Sequence, residues 1–179
     1  MDQEYSTKQL EKIAVQVRQS VIKSLESAGS GHAAGPLGLS DIMTALYFAI
    51  LRVKPEDPDW DDRDMFVLSN GDCVPVLYAV MAERGFFSKD ELLTLRKFDS
   101  RLQGHPERKS LPGLETTSGP LGCGLSQAAG MAYHLQYLKP QFHRFVYCVM
   151  GDGELNEGNI WEAAMFAGKY QLSQLIGII

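Results

Sequence analysis

Two short apolar runs joined by a helical stretch constrain this chain more than any other feature. Arg144-Phe145-Val146-Tyr147-Cys148-Val149-Met150 is rich in aromatic and β-branched residues, reads as a strand, and runs straight into Gly151-Asp152-Gly153. A helical pattern over about residues 159–170 follows, and Leu175-Ile176-Gly177-Ile178-Ile179 is the next apolar run, expected to be a buried strand. Strands that are apolar on both faces and separated by a helix imply parallel pairing with helices packed on the sheet. Met65-Phe66-Val67-Leu68, ending in the turn residues Ser69-Asn70-Gly71-Asp72, supplies a further strand of the same kind. The expected fold class is therefore α/β, a parallel sheet flanked by helices on both faces.

The remaining segments read as helices and loops around that sheet. Leu10, Ile13, Ala14, Val17, Val21 and Leu25 recur at spacings of three and four and predict an amphipathic helix, stopped by Gly29 and Gly31. Residues 30–38 hold three glycines and a proline and are expected to form a loop. A second helix is expected over residues 40–52, burying Ile42, Leu46, Ala49 and Ile50, before an acidic connector. Helical spacing resumes over residues 74–84, and Ser88 with Glu91 three positions on forms a capping box for a short helix. Residues 97–117 show no periodicity; a loop that long inside a compact domain is usually functional. Residues 122–138 predict a glycine-tolerant helix.

Composition narrows the class. With 179 residues, 45% of them hydrophobic, the chain is long enough for one domain with a real core. A net charge of −5 argues against a nucleic-acid partner, which calls for a basic stripe. No apolar run approaches the ~20 residues of a membrane span, and the polar opening MDQEYSTKQLEK is no signal peptide. Cys73, Cys123 and Cys148 are widely spaced and are expected to be reduced thiols in a cytoplasmic protein. His134 and His143 are expected to be surface or helix residues.

In an open parallel sheet, ligands bind at the carboxyl ends of the strands. Three segments fall at or near such ends: residues 69–72, 119–122 and 151–153. Gly151-Asp152-Gly153 offers a carboxylate for Mg²⁺, Ca²⁺ or Mn²⁺ and glycines that let backbone N–H groups approach a phosphate closely; alone, it reads more readily as a tight turn. Gly119-Pro120-Leu121-Gly122 opens a helix whose N-terminus favours phosphate, and Gly104-His105-Pro106-Glu107 lies in the long loop ahead of it. Together these features point to a cofactor site with a histidine above it.

Read in order, Ser30-Gly31-His32, Pro36-Leu37-Gly38, Leu68-Ser69-Asn70-Gly71, Gly104-His105-Pro106-Glu107, Ser118-Gly119-Pro120-Leu121-Gly122 and Gly151-Asp152-Gly153-Glu154 with Glu157-Gly158 resemble the thiamine diphosphate-binding domain of transketolases. The resemblance runs over residues 1–179, and Leu102-Gln103-Gly104-His105-Pro106 is similar to the N-terminal subunit of split transketolases. It implies a thiamine diphosphate-binding fold of the diphosphate-binding type and transfer of a two-carbon ketol unit from a ketose phosphate to an aldose phosphate. By resemblance, Asp152 holds the divalent metal, Mg²⁺ (or Ca²⁺ or Mn²⁺), and the Gly153 N–H meets the diphosphate. Gly119, Pro120 and Leu121 line the cofactor. His32 and His105 face the substrate and assist proton transfer. Glu157 matches a family carboxylate at the subunit interface.

The sequence departs from the family in two places. Asp72 stands where the family has a histidine at the diphosphate, and a carboxylate there costs about 1–4 kcal/mol of repulsion at contact distance. The Asn that completes the family's metal site falls past Ile179, so the domain is expected to be incomplete at its C-terminal end. The resemblance further implies a partner, the C-terminal transketolase subunit carrying the pyrimidine-binding domain, in a homo- or hetero-oligomer, with sugar phosphates as substrates and no nucleic acid or membrane. Two alternatives remain beside it. One is another thiamine diphosphate enzyme, such as a 1-deoxyxylulose-5-phosphate synthase or a 2-oxo acid dehydrogenase α subunit. The other is a non-catalytic homologue that has lost the cofactor.

Overall fold

The computed structural model describes residues 5–140 and 143–179; the polar opening at residues 1–4 lies outside it. The chain forms two compact units. The first draws on the chain up to Asp61, on Asp72–Gly104 and on Ser110–Gly113; the second holds Asp62–Gly71, His105–Lys109 and Leu114–Ile179.

The first unit is helical. Helix α1 spans Thr7–Ala28; the Gln9 side chain accepts the Ser6 N–H at its start, and Gly29 ends it in the left-handed region at φ 64°. Ala14, Val17 and Val21 are buried, as the three-and-four spacing predicts, while Leu10, Ile13 and Leu25 are half-buried and Ser24 joins the buried stripe; the helix packs on α3 (Ser40–Ala45) and α4 (Val74–Arg84). In α4 every residue from Val74 to Ala82 is buried, the state expected of a helix apolar all round. Arg84 closes this helix by donating from Nε to the Tyr47 carbonyl at 3.1 Å.

Three readings need correction here. The glycine-rich segment after α1 is not all loop, because Ala34–Gly38 winds into a short helix, α2. Its Gly35 sits so close to Cys73 that a Cβ would lie 2.4 Å from Sγ. The helix expected over residues 40–52 ends as a π-helical turn at Ile50, and Met43, Thr44, Leu46 and Tyr47 are buried instead of Ile42, Ala49 and Ile50. One-residue rotation of the buried face explains this: Met43 and Tyr47 bring longer side chains to the neighbouring helices than Ala49 could. The segment after Ser88 is a 3-10 helix, Lys89–Thr94, capped by Ser88 Oγ accepting from the Asp90 N–H at 3.3 Å rather than by the expected box.

The second unit carries the sheet. Strands β1 (Met65–Leu68), β2 (Val146–Val149) and β3 (Leu175–Ile178) pair in parallel in the order β1-β2-β3, with Met65 opposite Val146 and Val146 opposite Leu175. Helices α5 (Gly124–Tyr133, continued by a π-helical turn to Leu138) and α6 (Gly158–Lys169) bury Val67, Val146 and Cys148 on one face against Leu125, Ala128, Ala132, Ile160 and Ala163. Central β2 is wholly buried, whereas β3 is half-exposed and not the buried strand expected from its apolar sequence. Edge position does not by itself account for this, since β1 also has one neighbour and is buried from Phe66 to Leu68. At the strand entrances, Asp64 Oδ1 accepts the Phe145 N–H at 2.9 Å and Arg144 Nε donates to the Arg63 carbonyl at 2.7 Å. The three cysteines are free thiols, and no helix among the described residues is long and apolar enough to cross a membrane.

Candidate functional site

The site is built where the strands of the second unit deliver their carboxyl ends. β1 continues into Ser69, whose N–H donates to the Val149 carbonyl at 2.8 Å, then turns at Asn70 and Gly71. β2 delivers Gly151, and residues Asp152–Asn156 wind into a 3-10 turn that leads through Glu157 into α6. Between them lies the glycine-rich entrance to α5.

Close backbone approach holds these loops together, and the glycines are where it happens. A Cβ on Gly71 would lie 2.9 Å from the Gly119 nitrogen and 3.0 Å from the Ser118 carbonyl carbon, so only hydrogen fits between the first loop and the second. Gly124, which starts α5, is tighter still, its would-be Cβ 2.4 Å from that of Ser69. Gly122 adopts φ +81° with the Glu157 side chain packed over it, and its carbonyl accepts from Asn159 Nδ2 at 2.9 Å. Gly119 lies against the His105 ring, and the Ser118 N–H donates to the Pro106 carbonyl at 3.2 Å.

The positions singled out in the sequence divide between the units. His105, Gly119, Pro120, Leu121, Asp152, Gly153 and Glu157 all belong to the second, on the loops just described. Asp152 and Gly153 are exposed, with open space where a Gly153 side chain would stand. Pro120 and Leu121 present an exposed edge, and Glu157 is exposed beside Gly122. His32 and Asp72 belong to the first unit: His32 is exposed between α1 and α2, and Asp72 is half-buried in the 3-10 turn Gly71–Cys73. Among the described residues no three His, Cys, Asp or Glu side chains gather into a metal cage. His134 and His143 are exposed, as expected.

Two residues escaped the sequence reading. Glu154, quoted only as part of a motif, is 3% exposed and accepts three hydrogen bonds: from Ser69 Oγ at 2.6 Å, the Gly122 N–H at 2.7 Å and the Gly151 N–H at 2.8 Å. A glutamate directly after Gly-Asp-Gly looks solvated, and only its position three residues into the turn hints that it reaches back. In the first unit, Arg96 adopts a left-handed φ of 59°. Its guanidinium lies against Gly104 and near Gly31, with no hydrogen bond or ion pair among the described residues. No local pattern announces that conformation in an arginine. Burial pushes the Cys148 thiol up to about 12, aided by the nearby Glu154 charge.

Comparison with known proteins agrees with this geometry. The sequence matches the family described as transketolase, thiamine diphosphate binding domain, over residues 9–179. It is 45% identical over 170 residues to transketolase of Homo sapiens, covering 95% of this chain and 27% of the human one. To an apulose-4-phosphate transketolase subunit of Phocaeicola vulgatus it is 42% identical over 162 residues, covering 90% of this chain and 57% of that one. The solved transketolase from Leishmania mexicana superposes with a TM-score of 0.89 at 35% identity, covering 98% of this chain and 27% of that one. The chain thus spans about a quarter of the length of the full transketolases it matches and just over half of the Phocaeicola protein. A parallel sheet with glycine-tight loops at its strand ends, and this extent of similarity, place the chain in the transketolase thiamine diphosphate-binding domain family.

Proposed function

We propose that this chain supplies the diphosphate-binding half of a transketolase active site and, with a partner carrying the pyrimidine-binding half, transfers two-carbon ketol units between sugar phosphates. The convergence of residues 69–71, 119–122 and 151–153 at one end of the sheet carries this reading. The residues fit the cofactor. Gly153 has open space over its Cα for a phosphate oxygen to meet its N–H. Asp152 is an exposed carboxylate, and Mg²⁺ is commonly held by one or two carboxylates with phosphate oxygens completing its shell.

Thiamine diphosphate, when bound, supplies the carbon nucleophile and electron sink for breaking and remaking the sugar carbon–carbon bond. The chain's own part is binding, orientation and proton traffic. Asp152 would hold the metal, the Gly153 backbone would meet the diphosphate, and Gly119, Pro120 and Leu121 would line the cofactor. His105 and His32 take and return hydroxyl protons, work suited to a side chain whose ordinary pKa lies near neutrality.

A partner is supported by exposed apolar surface as well as by similarity to the Phocaeicola transketolase subunit. Trp161, Ala164, Met165 and Gly168 form one exposed face of α6, and Leu121 beside the site is 53% exposed. Glu157, at the start of the same helix, is placed to face such a partner. Free cysteines fit a cytoplasmic setting.

Calorimetric titration of the chain with thiamine diphosphate and Mg²⁺, with and without the partner subunit, tests the reading. Binding that needs Mg²⁺ and is lost in Asp152→Asn is expected; no binding with the partner present overturns it. Asp72 favours a second reading, that of a homologue that no longer holds the cofactor, because a half-buried carboxylate replaces the family's histidine. Binding that appears only in Asp72→His establishes that alternative.

A further inference from the structure

The Glu154 carboxylate is an anion housed inside the strand-end loops. Its three donors come from three different segments: Ser69 from the end of β1, Gly122 from the entrance to α5, and Gly151 from the end of β2. The Ser69 hydroxyl donates to Oε1 while its oxygen accepts the Gly124 N–H at 3.0 Å, which extends the network to the first residue of α5. The Glu154 N–H returns to the Gly151 carbonyl at 3.0 Å, so the residue grips Gly151 from both sides. A carboxylate is the side chain suited to this place. It offers about four lone-pair sites and no hydrogen, whereas an amide keeps one acceptor oxygen and turns its NH2 toward the Gly151 N–H, itself a donor, or, flipped, toward the Gly122 N–H.

We propose that Glu154 is the positioning residue of the cofactor site, its buried carboxylate fixing the spacing of the loops that carry Gly119-Pro120-Leu121 and Asp152-Gly153. The proposal rests on the cofactor reading above. By occupying the Gly122 and Gly151 N–H groups, Glu154 takes both out of competition for the diphosphate, to which the exposed Gly153 backbone remains open. Asp152 is one residue from Gly151, and Leu121 is one residue from Gly122. Each bond to the carboxylate therefore fixes a group meant for the ligand, although Glu154 itself touches none.

The test uses the full chain together with its partner subunit. Glu154→Gln is expected to weaken binding of thiamine diphosphate with Mg²⁺ by ~10- to 100-fold, the range typical for residues that orient ligand-holding groups. In the cofactor-free protein the same variant should speed amide hydrogen exchange at one or both of Gly122 and Gly151 while leaving Val67 and Cys148, in the strands, as protected as before. A merely structural role would speed exchange across the strands and the two glycines alike. Ser69→Ala, which keeps both amide bonds, is expected to give a smaller loss of affinity, and it decides the question if Glu154→Gln does not fold. Wild-type cofactor affinity in folded Glu154→Gln, or in Ser69→Ala when the first variant is unfolded, overturns the proposal. If the wild-type complex itself binds no cofactor, the proposed function fails separately, and exchange at Gly122 and Gly151 still decides whether Glu154 sets the loop spacing.

Discussion

Helix α5 contains two glycines for which the same substitution should have opposite effects. Gly130 is exposed, and a Cβ there would meet nothing within 4 Å, so Gly130→Ala should gain the intrinsic helix preference of alanine, ~0.5–1 kcal/mol. Gly124 has the same propensity gain available but no room for it. Its Cβ would fall 2.4 Å from the Ser69 Cβ, 2.5 Å from Oγ and 2.6 Å from Cα. The last of these is backbone, tied to β2 through the Ser69 N–H on the Val149 carbonyl at 2.8 Å, so it cannot retreat without opening the sheet. Overpacking of this kind costs typically ~1–3 kcal/mol. Loss of the Gly124 N–H bond to Ser69 Oγ adds ~1 kcal/mol. After the propensity gain is subtracted, Gly124→Ala should destabilise the chain by ~1–3.5 kcal/mol. At ~2–4 °C per kcal/mol for a chain of this size, its Tm should fall by ~2–14 °C while that of Gly130→Ala rises by a few degrees. Urea unfolding followed by far-ultraviolet circular dichroism, with thermal melts alongside, measures both. A Gly124→Ala protein as stable as wild type would refute the close approach of α5 to β1, and a destabilised Gly130→Ala would refute the open surface assigned to that helix face.

Other outcomes follow from the same packing. Glu115 receives Arg63 through two bonds, at 2.7 and 3.0 Å, with its side chain 7% exposed; Glu115→Gln should cost ~2 kcal/mol in urea unfolding because it removes the charge and one acceptor from a largely buried two-bond pair. The Cys148 thiol, pushed up to about 12 chiefly by burial, should stay unmodified by a thiol reagent at pH 8 until the chain unfolds. A hydrogen bond from Arg101 holds the Glu91 carboxyl below the usual range. Because its folded pKa is depressed, its contribution is complete above the ordinary glutamate value and is lost as pH falls through the lowered one. Glu91→Gln should therefore flatten the acid limb of the stability profile while changing stability at pH 7 by no more than ~1 kcal/mol, as expected for an exposed pair.

Some of this protein is written locally. The apolar runs at residues 65–68, 146–149 and 175–178 name the strands, and the helices between them require parallel pairing. Glycine, proline and aspartate clusters after β1 and β2 mark where a ligand belongs, because parallel sheets expose their carboxyl ends there. Long-range contact decides the rest. Ile42 and Met43 are equally apolar neighbours, and only the packing of the helices around them buries Met43 and leaves Ile42 exposed. β1 and β3 are both apolar edge strands, yet only β1 is buried, a difference that their own residues do not encode. Glu154 is the clearest case. Sequence by itself determined that a carboxylate follows Gly151-Asp152-Gly153, which describes a solvated turn as well as anything else. Folding brings Ser69, 85 positions earlier, within 2.6 Å of that carboxylate and adds the amides of Gly122 and Gly151. A buried charge is tolerable only where such donors converge, and convergence is a property of the assembled loops rather than of any one segment.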